Sequence, residues 1–127
     1  MTHRDTSTTE RDNLRMRANA AVLRFLDRTG HVILEAPFAS EEKGVDVITE
    51  HEGTLRFIDV RLAPEAQDWS RQPASEQDIE RFVRTAAAWA ARTQCVEGEL
   101  GYDILTVIVC GDQRAVVEYH RGAHLRP

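Results

Sequence analysis

The chain has 127 residues, which is the size of one ordinary domain and too short for two. Hydrophobic residues make up 42% of it and charged residues 29%, a composition that predicts a folded core and excludes a disordered chain. The net charge is −5 at pH 7, which argues against indiscriminate nucleic-acid binding, because such binding depends on basic surface meeting phosphate.

Membrane and zinc-binding signals are both missing from the sequence. No apolar run approaches the roughly 20 residues that a membrane span requires, and the polar N-terminus lacks the apolar stretch of a signal peptide. We therefore expect no membrane partner and a cytoplasmic location. The two cysteines, Cys95 and Cys110, have no CxxC or ordered His/Cys spacing around them, which argues against a zinc site.

The first half of the chain predicts a helix, a short strand and a hairpin. Residues 1–9 are rich in Thr and Ser and are predicted to be a disordered tail. From about Glu10 to Arg28, apolar residues recur at three- and four-residue spacing, which indicates an amphipathic helix that Gly30 ends. Residues 31–37 predict a strand that Pro37 terminates.

Two β-branched runs, residues 45–50 and 54–62, flank a tight turn that contains Gly53, and this arrangement predicts a β-hairpin. Apolar residues occupy both odd and even positions of each run, so they point to both faces of the predicted strands. The two strands are therefore expected to be central and covered on both faces.

The second half of the chain predicts a helix and two more strands. Ser75 and Asp78 have the spacing of a capping box that opens an Ala-rich helix ending near Thr93. Residues 102–110 predict a buried strand and residues 115–119 another. The element order predicts one α/β domain over residues 10–120, a central mixed sheet flanked by helices, followed by a basic tail at 121–127.

The hairpin brings two acids and a base together. If the turn uses Glu52 and Gly53, then Asp46 lies opposite Asp59, and period-2 alternation puts Asp46, Asp59 and Arg61 on one face. Facing like charges destabilise a sheet, and a divalent cation held by both carboxylates would compensate. Two alternatives remain open: Arg61 alone neutralises the pair, or the register slips by one residue and separates Asp46 from Asp59.

Residues 44–61 read Gly-Val-Asp-Val-Ile-Thr-Glu-His-Glu-Gly-Thr-Leu-Arg-Phe-Ile-Asp-Val-Arg. This segment resembles, without a gap, the hairpin of the YraN-like family, whose pattern is Gly-Glu-Ile-Asp, Leu-Ile-Ala, a turn, and Leu-Val-Phe-Val-Glu-Val-Lys. The resemblance covers about residues 13–110, and residues 101–105, Gly-Tyr-Asp-Ile-Leu, stand where the family tends to have Arg-Phe-Asp-Val-Val. That family consists of bacterial proteins of unknown role that are expected to be nucleases of the PD-(D/E)xK type. It implies a restriction-endonuclease-like fold with an αβββαβ core.

The resemblance also implies a site. Asp46 matches the family's metal-binding aspartate, Asp59 stands where a Glu is usual, and Arg61 stands where a Lys is usual. An intact site of this kind would hydrolyse phosphodiesters with Mg²⁺ or Mn²⁺ held by Asp46, Asp59 and the Val60 carbonyl. Arg61 would stabilise charge on the phosphate. The implied partner is nucleic acid, with DNA ahead of RNA, and a homodimer is implied because related nucleases often pair to cut two strands.

The departures from the family pattern bear on activity. A planar Arg61 does not replace a compact lysine, and the family's two further acids fall at Gly44 and Asn19. We therefore expect a nuclease-like nucleic-acid-binding protein whose metal-dependent phosphodiesterase site has degenerated and is weak or inactive. The alternative is a non-catalytic protein-interaction module that retains only the fold.

Most of the remaining conspicuous residues are assigned to structure or surface rather than to chemistry. Trp89 is expected in the core, Asp103 in a local cap or pair, and His31 and His51 at the surface. Trp69, in the loop after the hairpin, could stack on a base.

Overall fold

The computed structural model describes residues 3–38, 44–63, 74–93, 99–110 and 114–122, with side chains from residue 13 onward. Two helices and five strands lie in these ranges. In chain order they are α1 (His3–Arg28), β1 (Val32–Glu35), β2 (Val47–His51), β3 (Thr54–Ala63), α2 (Glu76–Thr93), β4 (Glu99–Cys110) and β5 (Arg114–His120).

The five strands form one sheet in the order β1-β2-β3-β4-β5, so β3 is the central strand. The β3–β4 pair is parallel and the other three pairs are antiparallel. A parallel pair needs a crossover connection, and α2 lies in that connection. The molecule is therefore an α/β fold with a mixed sheet flanked by two helices, as predicted, and it is consistent with a restriction-endonuclease-like αβββαβ core.

Helix α1 begins at His3 rather than near Glu10, so part of the predicted N-terminal tail is helical. No Gly or Pro interrupts residues 3–9, and without such a residue the helix continues into the Thr/Ser-rich segment. Its C-terminal end is the predicted one. Gly30 has a φ of 89°, and His31 N–H donates to the Leu26 carbonyl at 2.9 Å, which are the two marks of a Schellman cap.

The hairpin has the predicted register. Strands β2 and β3 pair from Val47↔Ile58 to His51↔Thr54, which leaves Glu52 and Gly53 as the two turn residues. Their φ angles of 52° and 79° are both positive, as a type I′ turn requires. The alternative register, slipped by one residue, is therefore wrong.

Side chains of the sheet pack in two layers. The layer on the α1 side includes Ile58 and Val60 of β3, and the layer on the α2 side includes Phe57 of the same strand, together with Trp89 of α2 as predicted. Alternation along β3 therefore turns residues 59 and 61 toward α2. The two predicted site residues of this strand lie between the sheet and that helix.

Candidate metal and phosphate site

Asp46 lies one residue before β2 and is fixed by its neighbours on both sides. Its backbone N–H donates to the Ile58 carbonyl at 3.0 Å, and its own carbonyl accepts from the Phe38 N–H at 2.8 Å. Its carboxylate Oδ2 accepts a hydrogen bond from the Val60 N–H at 2.8 Å. The side chain thus takes the place that a main-chain carbonyl would hold against β3, and the carboxylate is anchored to the strand that carries Asp59.

Asp59, in the middle of β3, is only 8% exposed. Its Oδ2 accepts hydrogen bonds from the Tyr102 hydroxyl on β4 and from Nη2 of Arg81 on α2, the latter at 3.3 Å. Burial raises the pKa of Asp59, while the bonds from Tyr102 and Arg81 act in the opposite direction. The carboxylate is therefore only partly compensated by its protein neighbours.

The two carboxylates lie close enough to influence each other. The pKa of Asp46 is raised to about 6: burial is the largest cause, the Val60 N–H acts against it, and repulsion from Asp59 adds to the rise. Arg15 of α1 and Arg81 of α2 both lower it. The structure thus brings Asp46 and Asp59 together, as the hairpin register predicts, in a place where two negative charges are costly.

Asp78, in the first turn of α2, holds both arginines beside the acids. Its Oδ2 accepts from Nη2 of Arg61 at 3.1 Å, and its Oδ1 accepts from Nη2 of Arg81 at 2.8 Å. Because Arg81 also bonds to Asp59, the alternative in which Arg61 alone neutralises the acid pair is wrong. Burial raises the pKa of Asp78, but the Ser75 N–H and hydroxyl and then the two arginines outweigh it and lower that pKa overall.

The same Asp78 closes the predicted capping box. The Ser75 N–H donates to its Oδ2 at 2.8 Å, and the Asp78 N–H donates to the Ser75 hydroxyl at 3.0 Å. Sequence reasoning found this cap but not its second role as a bridge between Arg61 and Arg81. The spacing of Asp78 and Arg81, three residues apart on one helical face, is the signal that could have indicated it.

Tyr102 is the other functional neighbour that the sequence did not reveal. It is fully buried, and its hydroxyl is bonded to Asp59. The YraN-like pattern has Phe at this position, so the hydroxyl on Asp59 is an addition relative to that pattern. The register Phe57↔Tyr102 places it next to the strand that carries Asp59, but this pairing is known only once the crossover is seen.

The two positions where the family pattern has acids are structurally informative. Gly44 has a φ of 106°, and a Cβ at this position would collide with the Thr85 side chain of α2. Asn19 leaves its Oδ1 buried without a hydrogen-bond partner among the residues that the structure describes. Position 44 is thus closed to a side chain while Thr85 stays where it is, and position 19 carries a polar atom with unused hydrogen-bonding capacity.

The remaining carboxylate oxygens decide whether a cation fits. Within the described ranges, neither Asp46 Oδ1 nor Asp59 Oδ1 has a hydrogen-bond donor. The same ranges contain no group of three or more His, Cys, Asp and Glu side chains arranged around one point. Two open carboxylate oxygens are nevertheless compatible with Mg²⁺, which usually keeps several waters and binds proteins through one or two carboxylates.

A groove of about 380 Å³ opens beside this site, between α2 and the start of β2. Its charged lining residues are Arg81, Arg84, Arg92 and Glu35, three positive against one negative, and Gly44 and Trp89 also line it. The concave surface next to the two acids therefore carries positive charge, although the chain as a whole is acidic.

Other conspicuous residues lie away from the acids. Asp103 points to the opposite face of the sheet and pairs with Arg56, consistent with the expectation of a local pair. His31 is buried and its ring stacks on that of His51 at 4.1 Å, so the expected surface placement of His31 is wrong. A hydrogen bond between its Nδ1 and the Thr49 hydroxyl, at 2.7 Å, holds the ring inside. Trp69 lies outside the described residues.

The fold and the acid pair together define a class: an α/β chain of restriction-endonuclease-like architecture with carboxylates at the start of β2 and in the middle of β3. The sequence model of the uncharacterised protein family UPF0102, which is the YraN-like family, matches residues 18–107. The chain belongs to that family. It is also similar to a UPF0102 protein of Anaeromyxobacter sp. (strain Fw109-5), with 29% identity over 84 residues. That match covers 65% of this chain and 63% of the relative's length.

Neither of the two described helices combines the length and the apolar character needed to cross a membrane.

Proposed function

We propose that this protein binds nucleic acid and holds one divalent cation, Mg²⁺ or Mn²⁺, between Asp46 and Asp59. The observation that carries the proposal is the pair of open carboxylate oxygens on two partly buried, mutually repelling acids. A cation between them would remove the repulsion and would replace the solvent that burial takes away.

The Val60 carbonyl is the third ligand in this proposal. In an antiparallel pair a residue presents its N–H and its C=O to the same neighbouring strand. The Val60 N–H reaches Asp46 Oδ2, so the Val60 carbonyl faces the same side of β3 as the Asp46 carboxylate. Waters would complete the octahedron that Mg²⁺ prefers.

The arginines supply the phosphate-binding part of the proposed site. Arg61 and Arg81 are each about one-fifth exposed and are held in place by Asp78. Guanidinium groups bind phosphate oxygens through charge-assisted hydrogen bonds, so these two could hold a phosphodiester against the acids. When bound, the cation would polarise the phosphoryl oxygen and lower the pKa of an attacking water.

Several contacts favour binding over rapid hydrolysis. Tyr102 and Arg81 occupy Asp59 Oδ2, and Asp78 holds the guanidinium of Arg61, where the family has a lysine. No acidic side chain stands at Gly44 or Asn19 to recruit a second cation or a water. We therefore propose a degenerate phosphodiesterase site whose cleavage is slow or absent and whose retained activity is binding.

A protein-interaction module without any cation site is the competing function, and metal affinity separates the two. Isothermal titration of Mn²⁺ into the wild type is expected to show one site, and the Asp46→Asn, Asp59→Asn double variant is expected to lose it. The variant keeps an oxygen for the Val60 N–H and for Tyr102, so a comparable melting temperature would show that it is folded. Equal Mn²⁺ affinity in both proteins, or none in either, would refute the proposed site.

Cleavage is measured on the same two proteins with labelled duplex, single-stranded, flapped and four-way DNA in the presence of Mn²⁺. Slow cleavage that disappears in the double variant would show residual catalysis at Asp46 and Asp59. Rapid multiple-turnover cleavage by the wild type would contradict the degenerate character of the site, and cleavage shared equally by both proteins would place the activity elsewhere or in a contaminant.

A further inference from the structure

A second groove, of about 430 Å³, lies on the other side of the sheet between α1 and the edge strand β5. Arginine side chains dominate its polar lining, and its apolar floor consists of small residues. The lining arginines are Arg17, Arg24, Arg28 and Arg114; the floor is made of Ala20, Ala21, Val109, Ala115 and Val117. We call this surface the arginine groove. All four arginines are exposed, and no acidic residue belongs to its lining within the described part of the chain.

The concentration of charge in the arginine groove contrasts with the rest of the molecule. Four of the 16 basic residues of a chain with net charge −5 line this one concavity. Four like charges around one groove repel one another, and nothing in the packing of the small floor residues requires them to be arginine. The arrangement is therefore explained better by an anionic ligand than by stability.

The spacing along α1 favours an extended polyanion. With a rise of about 1.5 Å per residue, Arg17, Arg24 and Arg28 span about 16 Å along the helix. Successive phosphates of one nucleic-acid strand advance about 3.4 Å along a duplex axis, so several phosphates fit along this row. Arg114, at the start of β5, faces the row from the opposite wall of the groove.

The N-terminal part of α1 also carries a basic residue near the candidate metal site. Arg15, two residues before Arg17 on α1, lies close enough to Asp46 to lower the pKa of that carboxyl. Helix α1 therefore carries arginines both near the acids and along the arginine groove.

We infer that the arginine groove binds the sugar-phosphate backbone of nucleic acid, and that it supplies most of the electrostatic affinity of this acidic protein for its partner. The inference deepens the proposed function, because it names the surface that holds the nucleic acid, but it does not depend on a cation at Asp46. A lipid surface is less well matched, because the small side chains at the bottom of a concavity offer nothing large and apolar to insert into a bilayer.

The test is fluorescence anisotropy of a labelled 20-mer, single-stranded or duplex, in EDTA at several salt concentrations, so that neither metal binding nor cleavage contributes. The groove variant is Arg24→Gln, Arg114→Gln. The matched control is Arg121→Glu, which changes the net charge by the same amount at one exposed arginine that lines neither groove. Circular dichroism melting confirms that both variants are folded.

The groove variant is expected to lose affinity by about tenfold or more, and the slope of log affinity against log salt should become shallower by about 1.4–1.8, the value for two lost phosphate contacts. The control should stay within about twofold of the wild type. An equal loss in both variants would reduce the effect to net charge and overturn the inference, as would binding of the wild type to phosphatidylserine vesicles but not to the oligonucleotides.

The Asp46→Asn, Asp59→Asn variant separates this inference from the proposed function. It should bind the oligonucleotide in EDTA as well as the wild type does. If the double variant binds the oligonucleotide normally while the wild type fails to bind Mn²⁺, the inference about the arginine groove is supported and the proposed metal site is refuted. If the wild type binds Mn²⁺ and the groove variant binds the oligonucleotide normally, the proposed metal site is supported and the inference about the arginine groove is refuted.

Discussion

Arg56 of β3 and Asp103 of β4 form a buried ion pair on the face of the sheet opposite the candidate metal site. Nε of Arg56 donates to Asp103 Oδ2 at 2.9 Å and Nη2 donates to Oδ1, while the Tyr119 hydroxyl and the Gly122 N–H also donate to this carboxylate. Burial alone would raise the pKa of Asp103, but the bonds from Arg56, Tyr119 and Gly122 hold it below its usual range. Every acceptor of a fully buried carboxylate is thereby matched with a donor.

Removal of one partner of this pair should destabilise the fold strongly. Asp103→Asn leaves the Arg56 guanidinium buried without its counter-charge, which costs about 3–5 kcal/mol in comparable cases. Urea denaturation of the two proteins measures the difference. The control is Glu35→Gln, which breaks the more exposed Glu35–Arg92 pair and should cost about 0–1 kcal/mol. Equal losses of unfolding free energy in the two variants would show that the buried pair contributes no more to stability than the exposed one.

Removal of a positive charge next to the acids should strengthen the binding of a cation there. Arg81→Gln takes a guanidinium away from Asp59 Oδ2, and the attraction between the acids and Mn²⁺ is then opposed by one charge less. We expect Mn²⁺ affinity to rise by about three- to tenfold in isothermal titration. Arg84→Gln, the same change on the next turn of α2, is the control and should have a smaller effect. Weaker Mn²⁺ binding in Arg81→Gln would show that Arg81 orders the site more than it repels the cation.

Two of the departures on the acid-bearing side of the sheet, at positions 61 and 102, can be reversed together. Arg61→Lys, Tyr102→Phe restores the family residues, which frees Asp59 Oδ2 from the Tyr102 hydroxyl and replaces the planar guanidinium by a point charge. Cleavage of DNA with Mn²⁺ should increase by about tenfold or more over the wild type. Adding Asp46→Asn to the same protein should abolish the gain. An unchanged rate would assign the degeneration to the departures that remain, at positions 19, 44 and 59.

The acid that the family has at position 44 should not be tolerated alone. Gly44→Glu puts a side chain at a φ of 106° and into the space of the Thr85 side chain, so we expect it to destabilise the fold by about 2 kcal/mol or more. Addition of Thr85→Ala removes the collision but not the backbone strain, and should recover part of the loss. Thermal denaturation of the single and double variants measures both effects. A single variant as stable as the wild type would contradict the packing of Thr85 against Gly44.

His31 should make the protein acid-sensitive. Burial is the main reason that the pKa of His31 falls to about 4; the neighbouring His51, Arg121 and Arg56 also lower it, and Asp103 raises it. The unfolded chain takes up this proton near pH 6.5, whereas the folded chain does so only near pH 4. Between these two values the unfolded chain binds more protons than the folded chain, so stability is unaffected above about pH 6.5 and falls by about 3 kcal/mol as the pH approaches 4.

Chemical denaturation of the wild type and His31→Gln across pH 4–7 measures this dependence. The variant keeps a polar group for the Thr49 hydroxyl, which accepts or donates at 2.7 Å in the wild type. Its stability should fall less between pH 6.5 and pH 4. Parallel pH profiles would assign the acid sensitivity to other groups.

Much of the fold was predictable because local signals agreed with it. The positive-φ turn at Gly53, the cap at Gly30 and the Ser75–Asp78 box all mark element ends through chemistry that acts over a few residues. The hairpin register followed from the turn, and with it the proximity of Asp46 and Asp59. The predicted start of α1 was wrong because the polar residues of its first turns resemble those of a disordered tail, and no Gly or Pro marks where the helix begins.

The site was less predictable because its neighbours arrive from distant segments. Arg81 and Tyr102 reach Asp59 from α2 and β4, and no spacing in the sequence encodes a crossover or the pairing of Phe57 with Tyr102. The burial of His31 likewise depends on its stacking with His51, a partner 20 residues away across β2. The proximity of residues in one hairpin can be predicted from the sequence. Contacts between residues of distant elements become known only when the packing of those elements is known.

Gly101 lies directly beside Arg56 in the β3–β4 register, and a Cβ on it would collide with the Arg56 guanidinium. The YraN-like pattern has the opposite arrangement, an apolar Val at position 56 and an Arg at position 101, and residues 101 and 103 share a face of β4 by alternation. In this chain the guanidinium that faces Asp103 comes from β3, whereas the family pattern has its arginine at the neighbouring position of β4. In a comparison of the sequences alone, positions 56 and 101 are two separate departures from the family pattern. In the β3–β4 register they are direct neighbours, and Gly101 leaves free the space that the Arg56 guanidinium occupies.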